Sequence, residues 1–489
     1  MRRTVLHRRY SKTVTDSAWI VGLILLLAAP AVLDAQNSYD LTWRRAKRTD
    51  GEFTISRVDD SRILPLPTPT PRPSSENASD DTQDVPDEDA PVTPDLHDAA
   101  TVRKLGEGAP EYFIPDVPHG WNDWENEWFS IAVGFAPIFD ATAFTQDAQS
   151  LTQVGRQDSR WDIRSGRFNL HGALKFKRPV HYFIGAEYKG LDRSPEDGPF
   201  GFTDWWISIL ISKRIGTLTL GKQKESFTYE LVGDSANFPF LERVLTPFFV
   251  TRNVGVKLSN PIFHDKMTWA VGWFNDWLVE DETFGESGNS VSARLTGVPI
   301  FSKDGSRYLH VAGSYRYSGA QNQTMRFRGR PESNTASNFV DTGEFPARYQ
   351  NEVAFEALAN RDGFSVLSEY VRTFVDTPGT GDPSFDGFYV TGSWVITGEH
   401  RPYDRKVGYA RRIIPKKRYG AFEVVARYGY VNLNGGALHG GAYNKLFFGL
   451  NWWASRQWRI STSYGPTWLD RDGLNGFTQI FTTRFQWVF

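Results

Sequence analysis

From residue 126 onward, apolar and polar side chains alternate with a period of two. In "RFNLHGALKFK", Phe168, Leu170, Leu174 and Phe176 share one side with Gly172. Arg167, Asn169, His171, Lys175 and Lys177 share the other with Ala173. Successive side chains of an extended chain point to opposite faces, so this reads as a strand with one greasy and one wet face. "DKMTWAVGWF", "YLHVAGSYRY" and "AFEVVARYGY" repeat the pattern. The alternation predicts sixteen strands, near 126–137, 164–177, 180–189, 202–212, 216–223, 252–259, 266–275, 290–297, 307–318, 348–358, 364–373, 387–397, 420–431, 445–453, 458–467 and 477–489.

The connections carry a second pattern. "RP" after Lys177, "KRI" after Ser212, "NPIFHD" after Ser259, "ANRDG" after Leu358 and "ASRQ" after Trp453 are short. They alternate with longer stretches at 190–201, 224–251, 276–289, 318–348 and 374–386. One long stretch, "GEHRPYDRKVGYARRIIPKKR", falls where a short turn is expected. An even strand count with alternating short and long connections is the signature of a closed membrane barrel with short periplasmic turns. A propeller would repeat every 40–50 residues or so, and no such repeat occurs. The expected fold class is all-β, a 16-stranded antiparallel transmembrane β-barrel, preceded by a disordered Pro/acid-rich segment.

Composition agrees. Aromatics make up 15% of the chain, and the mean hydropathy of −0.43 excludes a bundle of apolar membrane helices. With no cysteine, disulfides and thiolate metal sites are excluded. The basic "MRRTVLHRRYSK", the apolar "AWIVGLILLLAAPAV" and small Ala35 predict a secretory signal peptide over 1–35. Residues 36–125 hold 19 acids against 9 bases and the run "LPLPTPTPRPSSENASDDTQDVPDEDAPVTPD". Such a segment cannot bury a core and is expected to be a disordered periplasmic stretch. Residues 126–489, the expected barrel domain, carry the compensating positive charge.

If the polar faces line the lumen, the wall bases are Arg167, Lys175, Lys177, Lys257, Arg294, Arg316, Arg427, Arg459 and Arg484. Glu187, Asp204, Glu352, Glu356 and Glu423 are the acids on the same faces. A modest excess of bases in a narrow pore favours anions, and Arg suits phosphate and carboxylate through its planar fork. Cross-strand ion pairing would instead neutralise the wall. His171, His181 and His310 are scattered without metal-ligand spacing, and no nucleophile–base pair can be singled out. The sequence therefore offers no catalytic residues, no metal ligands, no cofactor site and no nucleic-acid partner. The last stretch, "TTRFQWVF", reads as a closing strand with Phe485, Trp487 and Phe489 toward lipid. Its final aromatic resembles the address read by the outer-membrane assembly machinery.

"GKQKESFTYELVGDSANFPFLERVL" followed by "PFFVTRNVGVKLS" resembles the strand–loop–strand unit of the phosphate-selective porin O/P family. "FYVTGSWVITGEHRPYD", "YGAFEVVARYGYVNLN" and "FFGLNWWASRQWRISTSYG" resemble later parts of the same family, in the same order. The resemblance implies an outer-membrane porin, a homotrimer, passing small hydrophilic solutes with a preference for anions such as phosphate. It also implies a third outer loop folded into the lumen. Here that constriction loop is 224–251, with Glu225, Glu230, Asp234, Glu242 and Arg243. A non-selective or sugar- and peptide-permeable porin, and a barrel tethered to the cell wall with a structural role, are the other readings.

Overall fold

The computed structural model describes residues 122–188, 200–275, 288–320 and 322–489. The signal peptide expected at 1–35, and the acidic segment expected at 36–125 up to residue 121, lie outside the described residues. Sixteen long antiparallel strands form one sheet. They are β1 Phe129–Gln146, β2 Arg160–Leu174, β3 Val180–Tyr188, β4 Phe200–Ser212, β5 Gly216–Gln223, β6 Asn253–Ile262, β7 Met267–Asn275 and β8 Ser290–Phe301. They continue as β9 Arg307–Gly319, β10 Tyr349–Arg361, β11 Phe364–Asp376, β12 Ser384–Val395, β13 Ala421–Gly435, β14 Leu438–Trp453, β15 Trp458–Arg471 and β16 Leu474–Trp487. Each pairs with the next, and β16 returns to β1 in a register running from Ile138 opposite Gln486 to Gln146 opposite Thr478. The sheet closes into a barrel, so its backbone groups are satisfied without water.

Closure has one offset. The first half of β1 extends past the end of β16, where it would present an open edge. Residues Asp123–Glu125 fold back and pair with Ser130–Ala132 to cover it. Val133 donates to the Asn122 carbonyl, and Phe135 and Phe489 exchange backbone hydrogen bonds of 3.0 and 3.1 Å. Exposed edges in lipid are costly, and this one is paired.

All sixteen predicted strands correspond to observed ones, most extended by a few residues. The largest addition is 138–146, which takes the first strand to 18 residues, Phe129–Gln146. Alternation holds along the walls: in β16, Thr482, Arg484 and Gln486 are buried toward the interior, while Phe481 and Phe485 are exposed. Exposed aromatics ring both ends. Trp128, Phe176, Phe263, Phe364, Trp394 and Trp458 lie at the short-turn end, and Trp161, Phe200, Phe202, Tyr349, Phe374 and Trp468 at the other. A soluble protein does not expose so much contiguous apolar surface; a lipid-facing band flanked by aromatic girdles does.

The long connection 396–420 between β12 and β13 is real and lies at the short-turn end. At the opposite end the last two connections, 436–437 and 472–473, are tight hairpins.

Candidate functional site

Among the described residues, three connections occupy the interior. The segment 224–252 enters after β5 and is buried along almost its whole length, with Phe227, Val244 and Leu245 fully enclosed. It is joined by 322–348 from the same end and by 396–420 from the short-turn end. Phe240, Phe327, Phe339, Tyr409 and wall residues Tyr389 and Tyr443 form one apolar cluster between them. Two wall glycines make room. A Cβ at Gly387 would lie 2.7 Å from the Phe248 ring, and one at Gly429 would lie 2.8 Å from Val244.

Ion pairs fasten this plug to the wall. Arg316 donates to Glu225 at 2.7 Å and to Glu352 at 2.9 Å. Arg427 meets Glu230 and, at 3.0 Å, Glu332 of the second segment, while its guanidinium stacks 3.8 Å over Phe240 and 4.0 Å over Tyr389. Arg484 holds Asp140 bidentately at 2.7 Å and reaches Glu242, which Arg164 also clamps at 2.6 and 3.1 Å. Arg167 lies 3.3 Å from Glu187 and 3.7 Å from Asp234. Thus each of the four acids expected on the constriction loop faces one of the expected wall bases.

Backbone contacts complete the attachment. Glu369 accepts from the Tyr229 and Glu230 amides at 2.5 and 3.1 Å, and Glu230 accepts from Val244 and Leu245 at 3.2 and 2.9 Å. Arg459 donates to the carbonyls of Phe238 and Pro239 at 2.7 and 3.2 Å. Arg243 turns back on its own segment and donates to the Glu230 carbonyl at 2.6 Å. Burial alone would raise the Glu242 carboxyl, but Arg164 and Arg484 bring it down to about 2.

The segment from the short-turn end docks on the same structure. Arg401 pairs with Glu423 and donates to the Asn237 carbonyl at 2.6 Å. Ala410 donates to the Tyr229 hydroxyl at 3.0 Å. Arg294 binds Glu356 bidentately at 2.7 Å and donates to the carbonyls of Val407 and Gly408. His310 bridges Glu356 and the Tyr403 hydroxyl.

Two expected wall bases are placed elsewhere. Lys175 lies beyond β2 and contacts Glu125 at 2.5 Å, and Lys177 is exposed in the following turn. Sequence reasoning missed Arg164. A bulge against β1 places Arg164 and Ser165 side by side in the buried interior, which breaks the period of two that sequence reading relies on. It also missed Glu332 and Arg401. The only signal was that they stand in long connections, one of them already anomalous.

A cavity of about 80 Å³ persists between the β5–β8 wall and the inward segments. Lys224, Lys257, Arg294 and Lys406 line it with a single acid, Glu225, and with hydroxyls of Thr217, Ser226, Ser259, Thr268 and Thr296. It has room for several ordered waters. Lys257 donates to the Lys224 carbonyl at 3.2 Å, and Lys224 donates to the Gly233 carbonyl at 2.8 Å. Burial, reinforced by Arg252 and Arg243, holds Lys224 well below the usual lysine range. Among the described residues no cluster of His, Asp and Glu has metal-ligand geometry.

A closed sheet with a lipid-facing exterior and a charged interior narrowed by inward segments defines an outer-membrane barrel of the porin class. The model of the phosphate-selective porin O and P family matches residues 140–489, and the chain belongs to that family. An uncharacterized protein of Caulobacter vibrioides is 26% identical over 255 residues, 48% of this chain and 50% of that protein. The chain thus spans about half the length of that curated relative. The anion-selective porin from Comamonas acidovorans is similar at 12% identity, over 74% of this chain and 100% of its own, with a TM-score of 0.48. The outer membrane channel DcaP of Acinetobacter baumannii is similar at 10% identity, over 75% of this chain and 99% of its own, with a TM-score of 0.48.

Proposed function

We propose that the protein is a diffusion porin that passes small hydrophilic solutes across the outer membrane, with a preference for anions such as phosphate. The observation that carries the preference is the cavity beside β5–β8, where Lys257 and Lys406 stand with Lys224, whose charge burial disfavours, against one acid, Glu225, itself paired with Arg316, while Arg294 is held by Glu356. Elsewhere Arg167, Arg316, Arg427 and Arg484 face carboxylates of the plug and Arg459 its backbone carbonyls, so these arginines hold the segments. In a narrow low-dielectric passage an excess of one sign attracts the other, and hydroxyls can replace part of an anion's hydration shell. Weak preference rather than tight capture follows from the small charge excess.

The remaining assignments belong to the same reading. Residues 1–35 act as a cleaved export signal and 36–125 as a periplasmic stretch ahead of a barrel domain at 126–489. The barrel assembly machinery reads the Phe485–Phe489 strand, and three copies assemble in outer-membrane lipid. The protein is a channel rather than an enzyme. Non-selective or sugar- and peptide-permeable conduction, and a structural tether to the cell wall, are the readings that the experiment must separate from it. Single-channel conductance in potassium chloride, with and without added phosphate, is the test. Partial block of chloride current by phosphate, lost in Lys257→Met, supports the reading. Phosphate-insensitive current passed equally by neutral sugars would favour the general pore.

A further inference from the structure

The short-turn end of the barrel is rimmed by exposed bases on six of its seven connections. Lys177, Lys213, Lys266, Lys303 and Lys417 each lie in a different one, and Arg361 ends β10 at the start of a sixth. Among the described residues, exposed acids there are few: Glu125, Glu127, Asp304 and Asp362. At the opposite end, by contrast, bases and acids are mixed, as in Arg156 beside Asp158 and Arg348 beside the half-buried Asp376.

Within this rim one arrangement is unfavourable as it stands. Arg307 opens β9 and Arg361 closes β10, and they are direct cross-strand partners. Their neighbours Tyr308 and Asn360 are buried toward the lumen, so both arginines face outward. Neither guanidinium has an ion-pair partner among the described residues. The nearby carboxylates are Asp304, which accepts from Ser302 and Ser306, and Asp362 in the adjoining turn. Like charges directly opposite on a sheet repel. The row continues outward-facing along the barrel, with Phe364 paired to Arg361 and Trp394 paired to Phe364. Both rings are about half exposed, at 53% and 52%. Aromatics of this kind sit at the headgroup level of a bilayer.

We propose that Arg307 and Arg361 together bind the phosphate of an anionic phospholipid headgroup in the leaflet facing the periplasm, with Phe364 and Trp394 packing on its acyl–glycerol region. The inference rests on the outer-membrane placement, with the short turns on the periplasmic side. Two guanidinium forks converge on one phosphodiester, which removes their mutual repulsion, and the surrounding basic rim adds attraction to an anionic surface. The pair faces away from the lumen, so it takes no part in conduction.

The full chain, folded in neutral detergent, is offered equimolar phosphatidylglycerol and phosphatidylethanolamine and read by native mass spectrometry. The wild type is expected to retain phosphatidylglycerol over phosphatidylethanolamine by roughly fivefold or more. The R307Q/R361Q variant is expected to lose that preference, and the R348Q/R372Q variant at the other end to keep it. Equal retention of both lipids by the wild type overturns the proposal, as does an unchanged preference in R307Q/R361Q. Displacement of the lipid by millimolar inorganic phosphate would mark a free-anion site and overturn it too. If R307Q/R361Q fails to fold, R361Q alone is read the same way. Channel conductance is recorded in parallel: its absence in the wild type would count against the porin reading and leave the lipid result standing.

Discussion

Arg427 on β13 and Glu230 on the inward segment form an ion pair in which neither side chain touches solvent. Glu332 of a second connection shares the same guanidinium. One wall arginine therefore ties two segments into the lumen. Removing one partner of a buried pair leaves uncompensated charge, at a cost of about 3–5 kcal/mol. Arg427→Ala is expected to release both segments, lower the unfolding temperature and give larger, noisier single-channel currents. Currents of wild-type size would show that the pair does not hold the plug.

Wall glycines set the fit of the plug. A side chain at Gly429 would meet Val244 and Glu332. Overpacking of this sort costs about 1–3 kcal/mol. Gly429→Leu should displace the segment from the β13 wall and raise conductance while the barrel still folds, judged by heat-modifiable mobility on gels.

The plug should resist mild acid. Glu242 is brought to about 2 by Arg164 and Arg484, against the upward effect of burial. A carboxyl lowered in the folded state stabilises it above the unfolded value, near 4.3, and loses that contribution as pH falls through about 2. Conductance is expected to stay constant from about pH 8 to pH 5 and to rise below about pH 3. In Glu242→Gln the latch is already weakened, so conductance starts higher and the acid-induced rise is smaller.

Lys224 gives selectivity a pH dependence of the opposite origin. Burial, with Arg252 and Arg243 nearby, favours its neutral form. Lowering pH adds its charge to the cavity, so anion preference should strengthen as pH falls below the usual lysine range. Lys224→Met should flatten this profile in reversal-potential measurements, and an unchanged profile would remove Lys224 from the path.

Closure of the sheet also has a local test. Phe489 exchanges two backbone hydrogen bonds with Phe135, and the Trp487 ring lies 4.7 Å from Phe489 and 6.2 Å from Phe135. Phe489→Asp places a carboxylate among these rings at the seam, and the folded, heat-modifiable form is expected to be lost.

The strands were legible because a wall with lipid on one side and a polar interior on the other imposes a period of two. The inward position of Arg167, Lys257, Arg294, Arg316, Arg427, Arg459 and Arg484 follows from the same alternation, whereas Lys175 and Lys177 fall beyond the end of β2. Arg164 was not, because its bulge shifts the phase. The direction of 396–420 was not legible either: Arg401 finds Glu423 and Asn237 only once the barrel has closed around three segments. The acids at 225, 230, 234 and 242 could be read as a charge on the constriction. That each would face a particular wall base depends on contacts across the lumen, which no local pattern encodes.

The proposed anion preference rests on the bases lining the cavity beside β5–β8. The zero-current potential across a tenfold potassium chloride gradient tests it most directly, for the wild type and for Lys257→Glu. The wild type is expected to give the sign of an anion-preferring pore, and the variant a shift of several-fold in permeability ratio toward cations. A cation-preferring wild type, or a variant with an unchanged potential, would contradict it.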